Sequence, residues 1–179
     1  MAAKQKGKSG PTTSGAEGRI QPLTIENATL IYKNFAGTAK RYNAKGLRNF
    51  HIVLDTDTAK MLESDGWNIK WDDPKEDGDT PRPHIKVALS FDNFPPRIVL
   101  ISGKGGTKRT VLDAESVEIL DWAEIQHADI VLSGSRWEVQ GKHGIKAWLR
   151  KAFITLSEDD LESKYSTPAA ISNIDDDDD

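Results

Sequence analysis

The sequence predicts a mainly β domain, and three observations support this prediction. Short apolar runs alternate with polar residues, as they do in strands that bury one face. Glycine and proline clusters separate these runs at short intervals. The chain has 179 residues, 37% of them hydrophobic, with five tryptophans, which is enough for one domain with a packed core.

The predicted elements follow one another along the chain. A short helix over 56–66 ends at Gly66, because glycine tolerates the left-handed conformation of a helix end. A second short helix is expected over about 113–120, and the glycines of "QGKHG" indicate a hairpin turn. Strands are expected over 27–33, 48–55, 84–91, 97–102, 135–139 and 145–156. Many short strands with one or two short helices are typical of an OB-like antiparallel barrel.

The two ends of the chain differ in composition from its middle. Residues 1–22 hold four cations and one acid among Gly, Ser and Thr, which predicts a flexible basic arm. Residues 157–179 hold one cation and nine acids, a net −8. Ser157 and Asp160 have the spacing of a helix capping box, which predicts a short helix at the end of the domain. Because of the composition of the two ends, we expect both termini to be disordered. The domain is expected over 23–165 and the acidic tail over 166–179.

Composition excludes several classes of function. No cysteine is present, so disulfides, thiolate nucleophiles and Cys-based zinc sites are excluded. No apolar run reaches the length of a membrane span, and the first ten residues lack the apolar centre of a signal peptide. The histidines lack metal-ligand spacing, and "GKGGTKRT" lacks the spacing of a phosphate-binding loop. We expect a cytosolic protein without cofactor, metal or membrane partner.

A cationic and aromatic composition marks residues 31–50, "IYKNFAGTAKRYNAKGLRNF", which contain no acid. In the last strand, alternation places Lys146, Trp148 and Arg150 on one face. Bases stack on aromatic rings while nearby cations meet phosphates, so such a surface binds single strands without reading sequence. The expected DNA contacts are Tyr32, Lys33, Phe35, Lys40, Arg41, Tyr42, Arg48, Lys104, Lys108, Arg109, Lys142, Lys146, Trp148 and Arg150.

These residues allow other interpretations. Phe35 and Tyr42 could anchor a solvated loop, and Trp148 could pack under a loop or helix. The cationic and aromatic face could meet another protein instead of DNA, in an interaction or virion-structural protein. Asp121, Glu124 and Asp129 could hold the magnesium of a nuclease if their side chains met.

The chain resembles phage-encoded single-stranded DNA-binding proteins over about residues 23–165. The similarity lies in "ENATLIYKNFAG", "DGWNIKW", "IKVALSFDNFPPRIVLISGK", "LDWAEI" and "WEVQGKHGIKAWLRK". It implies an OB-like fold, an acidic C-terminus and sequence-tolerant coating of single strands in phage replication or recombination, without catalysis, in the cytoplasm of the bacterial host. It makes Tyr32, Phe35, Lys146 and Trp148 the foremost strand contacts.

The sequence departs from the family pattern at one hairpin, and it ends in a run of aspartates. Ser135 and Arg136 stand where the resemblance implies an aromatic residue ahead of Trp137, which weakens a stacking role for that hairpin. The closing aspartates can occupy the protein's own cationic groove or dock on replication or recombination proteins. A purely solubilising tail is the alternative. This segment is Asp175, Asp176, Asp177, Asp178 and Asp179.

Overall fold

The computed structural model describes residues 19–73 and 82–157, and β-strands dominate this part of the chain. Two 3-10 turns accompany the regular elements, at Lys104–Gly106 and Val117–Asp121. The regular elements are β1 Leu23–Ile25, β2 Thr29–Asn34, β3 Arg48–Val53, α1 Thr56–Ser64, β4 Ile69–Asp72, β5 Arg82–Leu89, β6 Arg97–Ser102, β7 Lys108–Leu112, β8 Ile125–Val139 and β9 Lys142–Leu156.

The nine described strands form one sheet that is not closed. Its main path runs β1-β8-β9-β5-β3-β2, with β4 paired to β5, β6 paired to β9, and β7 paired to β6. Most pairs are antiparallel, but β5 and β6 each run parallel to β9. The prediction of a mainly β, OB-like fold is confirmed, and the two parallel pairings are a detail that local patterns do not encode.

The β8–β9 hairpin is the longest unit of the sheet. Its turn residues Gln140 and Gly141 have φ values of 52° and 82°, the pair of positive values that a type I′ turn requires. The β8–β9 register shifts between Val131 and Leu132, which face Lys151 and Leu149. This bulge leaves Arg150 without a paired residue, so Arg150 and Lys151 are both exposed.

Alternation along the strands separates the core from the outer face. In β5, Ile85, Val87 and Leu89 are buried, and Ile85 is paired both with Ile52 of β3 and with Ile69 of β4. Alternation over 84–91 predicts that Ile85, Val87, Leu89 and Phe91 point inward. The first three do, and Phe91, which follows β5, is only half-buried. The core lies on one side of the sheet, and the opposite side is free to carry a ligand site.

Phe35 belongs to the core, and its predicted DNA contact is wrong. Its side chain is 0% exposed and stacks on Phe50 with ring centroids 4.9 Å apart. The carboxylate of Asp121 accepts hydrogen bonds from the backbone N–H groups of Phe35 and Ala36, at 2.6 and 2.9 Å. The alternative interpretation, in which Phe35 anchors its loop to the body, is the one observed.

Several predicted elements match, and others are longer or new. The helix spans Thr56–Ser64, and the Asp55 carboxylate accepts the Thr58 N–H as its N-cap. The second expected helix is the 3-10 turn at Val117–Asp121. Strands β1, β4 and β7 were not predicted, and β8 begins ten residues earlier than expected. The capping pattern at Asp160 lies outside the described residues.

Candidate nucleic-acid interface

The outer face of the sheet carries a row of side chains from four neighbouring strands. On β5, Lys86 and Ala88 alternate with the buried residues and therefore point away from the core. Lys86 is paired with His51 of β3, and Ala88 is paired with Trp148 of β9. On the far side of β9, Ser135 of β8 is paired with Lys146. Strands β3, β5, β9 and β8 thus present one continuous surface.

A first groove, here called the sheet groove, lies on this surface with a volume of about 650 Å³. Four cations line it, and Asp92 is the acid among its lining residues. Positive charge therefore exceeds negative charge along the groove, which favours a polyanion. The cations are Arg48, Lys70, Lys86 and Lys146.

Trp148 stands at the end of the sheet groove in a fixed position. Its indole Nε1 donates a hydrogen bond to the Ser135 hydroxyl at 3.1 Å. The Lys146 ammonium lies 4.5 Å from the ring centroid, a cation–π contact. Because the half-buried ring lines two grooves, it is open to a ligand and is not covered by a loop. The predicted common face of Lys146, Trp148 and Arg150 is confirmed by the exposure pattern of β9.

A second groove, here called the loop groove, begins on the other side of Trp148 and has a volume of about 710 Å³. The β5–β6 loop forms one wall with Asn93, Phe94 and Pro95, and Arg150 lines the β9 side. Phe94 is 96% exposed. Ser90 and Trp148 line both grooves, so the two grooves adjoin and form one trough.

Tyr32 and two histidines form a cluster on the same outer face, beside the sheet groove. The Tyr32 ring is 58% exposed and meets His51 and His84 edge-on, with centroids 5.3 and 5.8 Å apart. The Nδ1 atoms of His51 and His84 share a hydrogen bond at 2.8 Å, and His84 Nε2 lies 2.9 Å from the Asp72 carboxylate. The Arg82 guanidinium donates to the Tyr32 hydroxyl at 3.3 Å. This network holds the tyrosine ring outward.

His51 adds no positive charge to the trough at neutral pH. Burial is the largest cause that lowers its pKa from 6.5 to about 4; the nearby His84, Lys86 and Lys70 contribute to this shift, and Asp72 opposes it. Since protonation would bring a cation next to two lysines in a partly dry site, the imidazole stays neutral down to about pH 5. The charge of the sheet groove therefore comes from its lysine and arginine side chains.

The predicted contact residues divide between the trough and other surfaces. Arg48, Lys146, Trp148 and Arg150 line the trough, and Tyr32 lies beside it. Lys40, Arg41 and Tyr42 are exposed on a loop whose residues Gly46 and Leu47 line the sheet groove, and Tyr42 is 87% exposed. The remaining predicted cations line neither groove: Lys33, Lys104, Lys108, Arg109 and Lys142.

Two of these cations, Lys33 and Lys142, lie at identifiable places outside the trough. The Lys33 ammonium donates to the backbone carbonyl of Ala123 at 3.2 Å, and burial lowers its pKa, although Asp121 acts in the opposite direction. Lys33 therefore ties β2 to the segment before β8 and does not face the trough. Lys142 begins β9 at the tip of the hairpin. The β6–β7 hairpin carries the other three, and β6 separates β7 from β9.

Sequence reasoning missed three residues of the trough. Lys86 lies in a predicted strand between Ile85 and Val87, so alternation alone could have placed it outward. Lys70 is in β4, a strand that the prediction lacked. Phe94 follows Asn93 in a loop, and no periodic signal marks a loop side chain as part of a groove.

Two of the three carboxylates considered for a magnesium site, those of Asp121 and Asp129, accept hydrogen bonds from backbone N–H groups of the fold. The Asp121 carboxylate accepts the backbone N–H groups of Phe35 and Ala36. The Asp129 carboxylate accepts the Asn27 N–H at 2.9 Å and lies 3.0 Å from His127 Nε2. In residues 19–73 and 82–157, no group of three metal-ligating side chains converges. The same part of the chain has no helix long and apolar enough to cross a membrane.

Comparison with known proteins identifies the family. Residues 13–179 match the model of the family described as "Putative phage ssDNA-binding domain". The chain belongs to this family. The resemblance to phage single-stranded DNA-binding proteins predicted from sequence is thereby confirmed, and the match favours single-stranded DNA over a protein as the ligand of the chain. No curated protein shows significant similarity to the chain.

Solved structures show the same fold at low sequence identity. The single-stranded DNA-binding protein from bacteriophage Enc34 matches with a TM-score of 0.51 and 11% identity, covering 76% of this chain and 82% of that chain. The same phage protein in complex with ssDNA matches with a TM-score of 0.51 and 12% identity, covering 76% and 87%. These similarities support the fold described above for this chain.

Proposed function

We propose that this protein coats single-stranded DNA without sequence preference, through the trough on the outer face of the sheet. The observation that carries the proposal is the indole of Trp148, held open between two grooves with Lys146 against it. A base can stack on this ring whatever its identity, because every base has a π-face. Family membership supplies independent support.

Phosphate binding is the second part of the proposal. Lys70, Lys86, Lys146 and Arg150 are exposed and line the trough. Their charges can replace the counterions of a strand that follows the trough. Arg48 also lines the sheet groove, but it is not counted among the phosphate contacts. Its guanidinium donates to the Phe35 carbonyl at 2.7 Å and lies 5.2 Å from the Phe91 ring centroid.

Salt dependence tests the phosphate contacts. If four cations each neutralise one phosphate, log affinity for oligo-dT falls against log salt with a slope of about −3, at about −0.7 per phosphate for single strands. The measurement is a series of fluorescence titrations between 50 mM and 500 mM NaCl. A slope near zero contradicts the proposal, because charge would then contribute nothing to binding.

The proposed role is protection and organisation of single strands in phage replication or recombination, without catalysis or cofactor. Stacking and charge neutralisation require neither a metal nor a reacting side chain. We assign this role to the domain over 23–165 and place it in the cytoplasm of the bacterial host, where phage DNA is copied. Incubating labelled oligo-dT with the protein and Mg²⁺ checks the non-catalytic role, and strand cleavage would contradict it.

The acidic tail over 166–179 is proposed as a competitor of DNA and as a docking segment for replication or recombination proteins. Asp175 to Asp179 lie outside the described residues, and the proposal stands on their charge and on the cations of the trough. Deletion of residues 175–179 is expected to tighten oligo-dT binding at 50 mM NaCl and to have little effect at 500 mM. Substitution of all five by Asn, which keeps the tail length, should act like the deletion. Equal affinity of all three proteins would remove the competitor role.

A further inference from the structure

Two exposed aromatic residues hold the left-handed backbone conformation. Tyr32 and Phe94 each have a φ of 51°, which bulky residues with a Cβ atom rarely adopt. At Phe94 the following Pro95 adds to the cost, because a residue before proline favours extended backbone. Burial does not offset this cost, since the Phe94 ring is almost fully exposed. Strain without a packing gain is a feature of functional sites.

The side chains around Phe94 indicate the class of ligand that the loop groove can bind. The ring lies on the loop-groove wall, with the indole of Trp148 and the guanidinium of Arg150 on the β9 side. The Ser90 hydroxyl accepts the Asp92 N–H at 3.2 Å and so orders the start of this loop. Two aromatic rings and one cation around a cavity of this size suit a flat ring that carries a negative group.

We propose that the loop groove is a nucleobase subsite in which Phe94 stacks one base of the bound strand and Arg150 meets its phosphate. The inference rests on the proposed function and extends it to a second platform, next to Trp148 and away from the sheet groove. Tyr32 supplies a platform at the opposite end. His84, in edge contact with Tyr32, and Ala88, paired with Trp148, are four residues apart on β5, or about 13 Å. Tyr32 and Trp148 are therefore too far apart to stack on the same base, and each holds a different nucleotide.

Phe94→Gly separates a stacking role from a packing role. Glycine adopts a φ of 51° without steric cost, so the melting temperature should stay unchanged or rise. Affinity for an oligo-dT long enough to fill the trough should fall by about 5- to 150-fold, the range for loss of one stacked base. Phe94→Trp, which keeps an aromatic face, should retain the affinity of the original protein.

Gln140→Gly is the matched control for the backbone effect. Gln140 also has a positive φ, 52°, and is exposed at the tip of the β8–β9 hairpin, outside both grooves. The substitution relieves the same kind of strain without removing a ring. It should leave DNA affinity unchanged, so that a loss seen only with Phe94→Gly comes from the ring.

The outcomes distinguish the subsite from the proposed function. If Phe94→Gly binds oligo-dT as the original protein does while Trp148→Ala binds weakly, the subsite is overturned and the proposed function stands. If neither substitution weakens binding, both fail. A melting temperature several degrees lower in Phe94→Gly than in Gln140→Gly would make Phe94 a packing residue and would also overturn the subsite.

Discussion

Trp148→Ala is expected to weaken binding of oligo-dT by about 1 to 3 kcal/mol, the contribution of one base stacked on an aromatic ring. Trp148 is the side chain that lines both grooves together with Ser90, so its removal opens a gap in the middle of the trough. The effect should be similar for oligo-dT and oligo-dA, because stacking does not read base edges. Fluorescence anisotropy with a 5′-labelled oligonucleotide measures it.

Trp122→Ala is the control for this substitution. Trp122 is 70% exposed and lines neither groove, so its loss removes an exposed indole without touching the trough. Its affinity for oligo-dT should equal that of the original protein. Equal losses in the Trp122 and Trp148 variants would mean that exposed indoles bind DNA wherever they lie, and the trough would lose its special role.

Neutralising Lys70 and Lys86 together should cause the second large loss. Each lysine that meets a phosphate adds about 0.7 to the salt slope. The double substitution Lys70→Gln/Lys86→Gln should therefore make the slope shallower by about 1.4 and weaken binding at 0.1 M salt by about 25-fold. Titrations at pH 7.5 keep His51 uncharged, since its pKa is about 4 in the original protein and burial still opposes its protonation in the variant.

The control pair for these lysines is Lys108→Gln/Arg109→Gln. Both residues are exposed cations on the β6–β7 hairpin, outside the two grooves. Their neutralisation changes the net charge equally but should leave the slope nearly unchanged. A control pair that lowers the slope as much as Lys70 and Lys86 do would place the strand on the β6–β7 hairpin, which was one of the surfaces predicted from sequence.

The strands could be predicted where one face is buried, and the pairing could not. Alternation marked Ile85, Val87 and Leu89 of β5 as inward because each buries an apolar side chain. The parallel pairing of Ala88 with Trp148 depends on contacts between segments 60 residues apart, which local periodicity does not contain. Strand β4 was missed because its four residues are too few for a clear pattern.

The candidate site shows the same division between local and tertiary information. Lys146 and Trp148 were predicted correctly as outward neighbours, because both lie in one regular strand. Phe35 and Lys33 come from an equally cationic and aromatic stretch, yet Phe35 is in the core and Lys33 bonds to Ala123. Composition showed which residue types were available for DNA, and the bulge in β2 decided which of them face out.

Photo-crosslinking of bound DNA tests the central claim most directly. Oligo-dT that contains 4-thiothymidine is bound to the full chain, irradiated and digested, and the crosslinked residues are identified by mass spectrometry. We expect crosslinks in β9 around Trp148, in the loop that carries Phe94 and at Tyr32. Crosslinks confined to Trp122 or to the β6–β7 hairpin, with none along the trough, would contradict it.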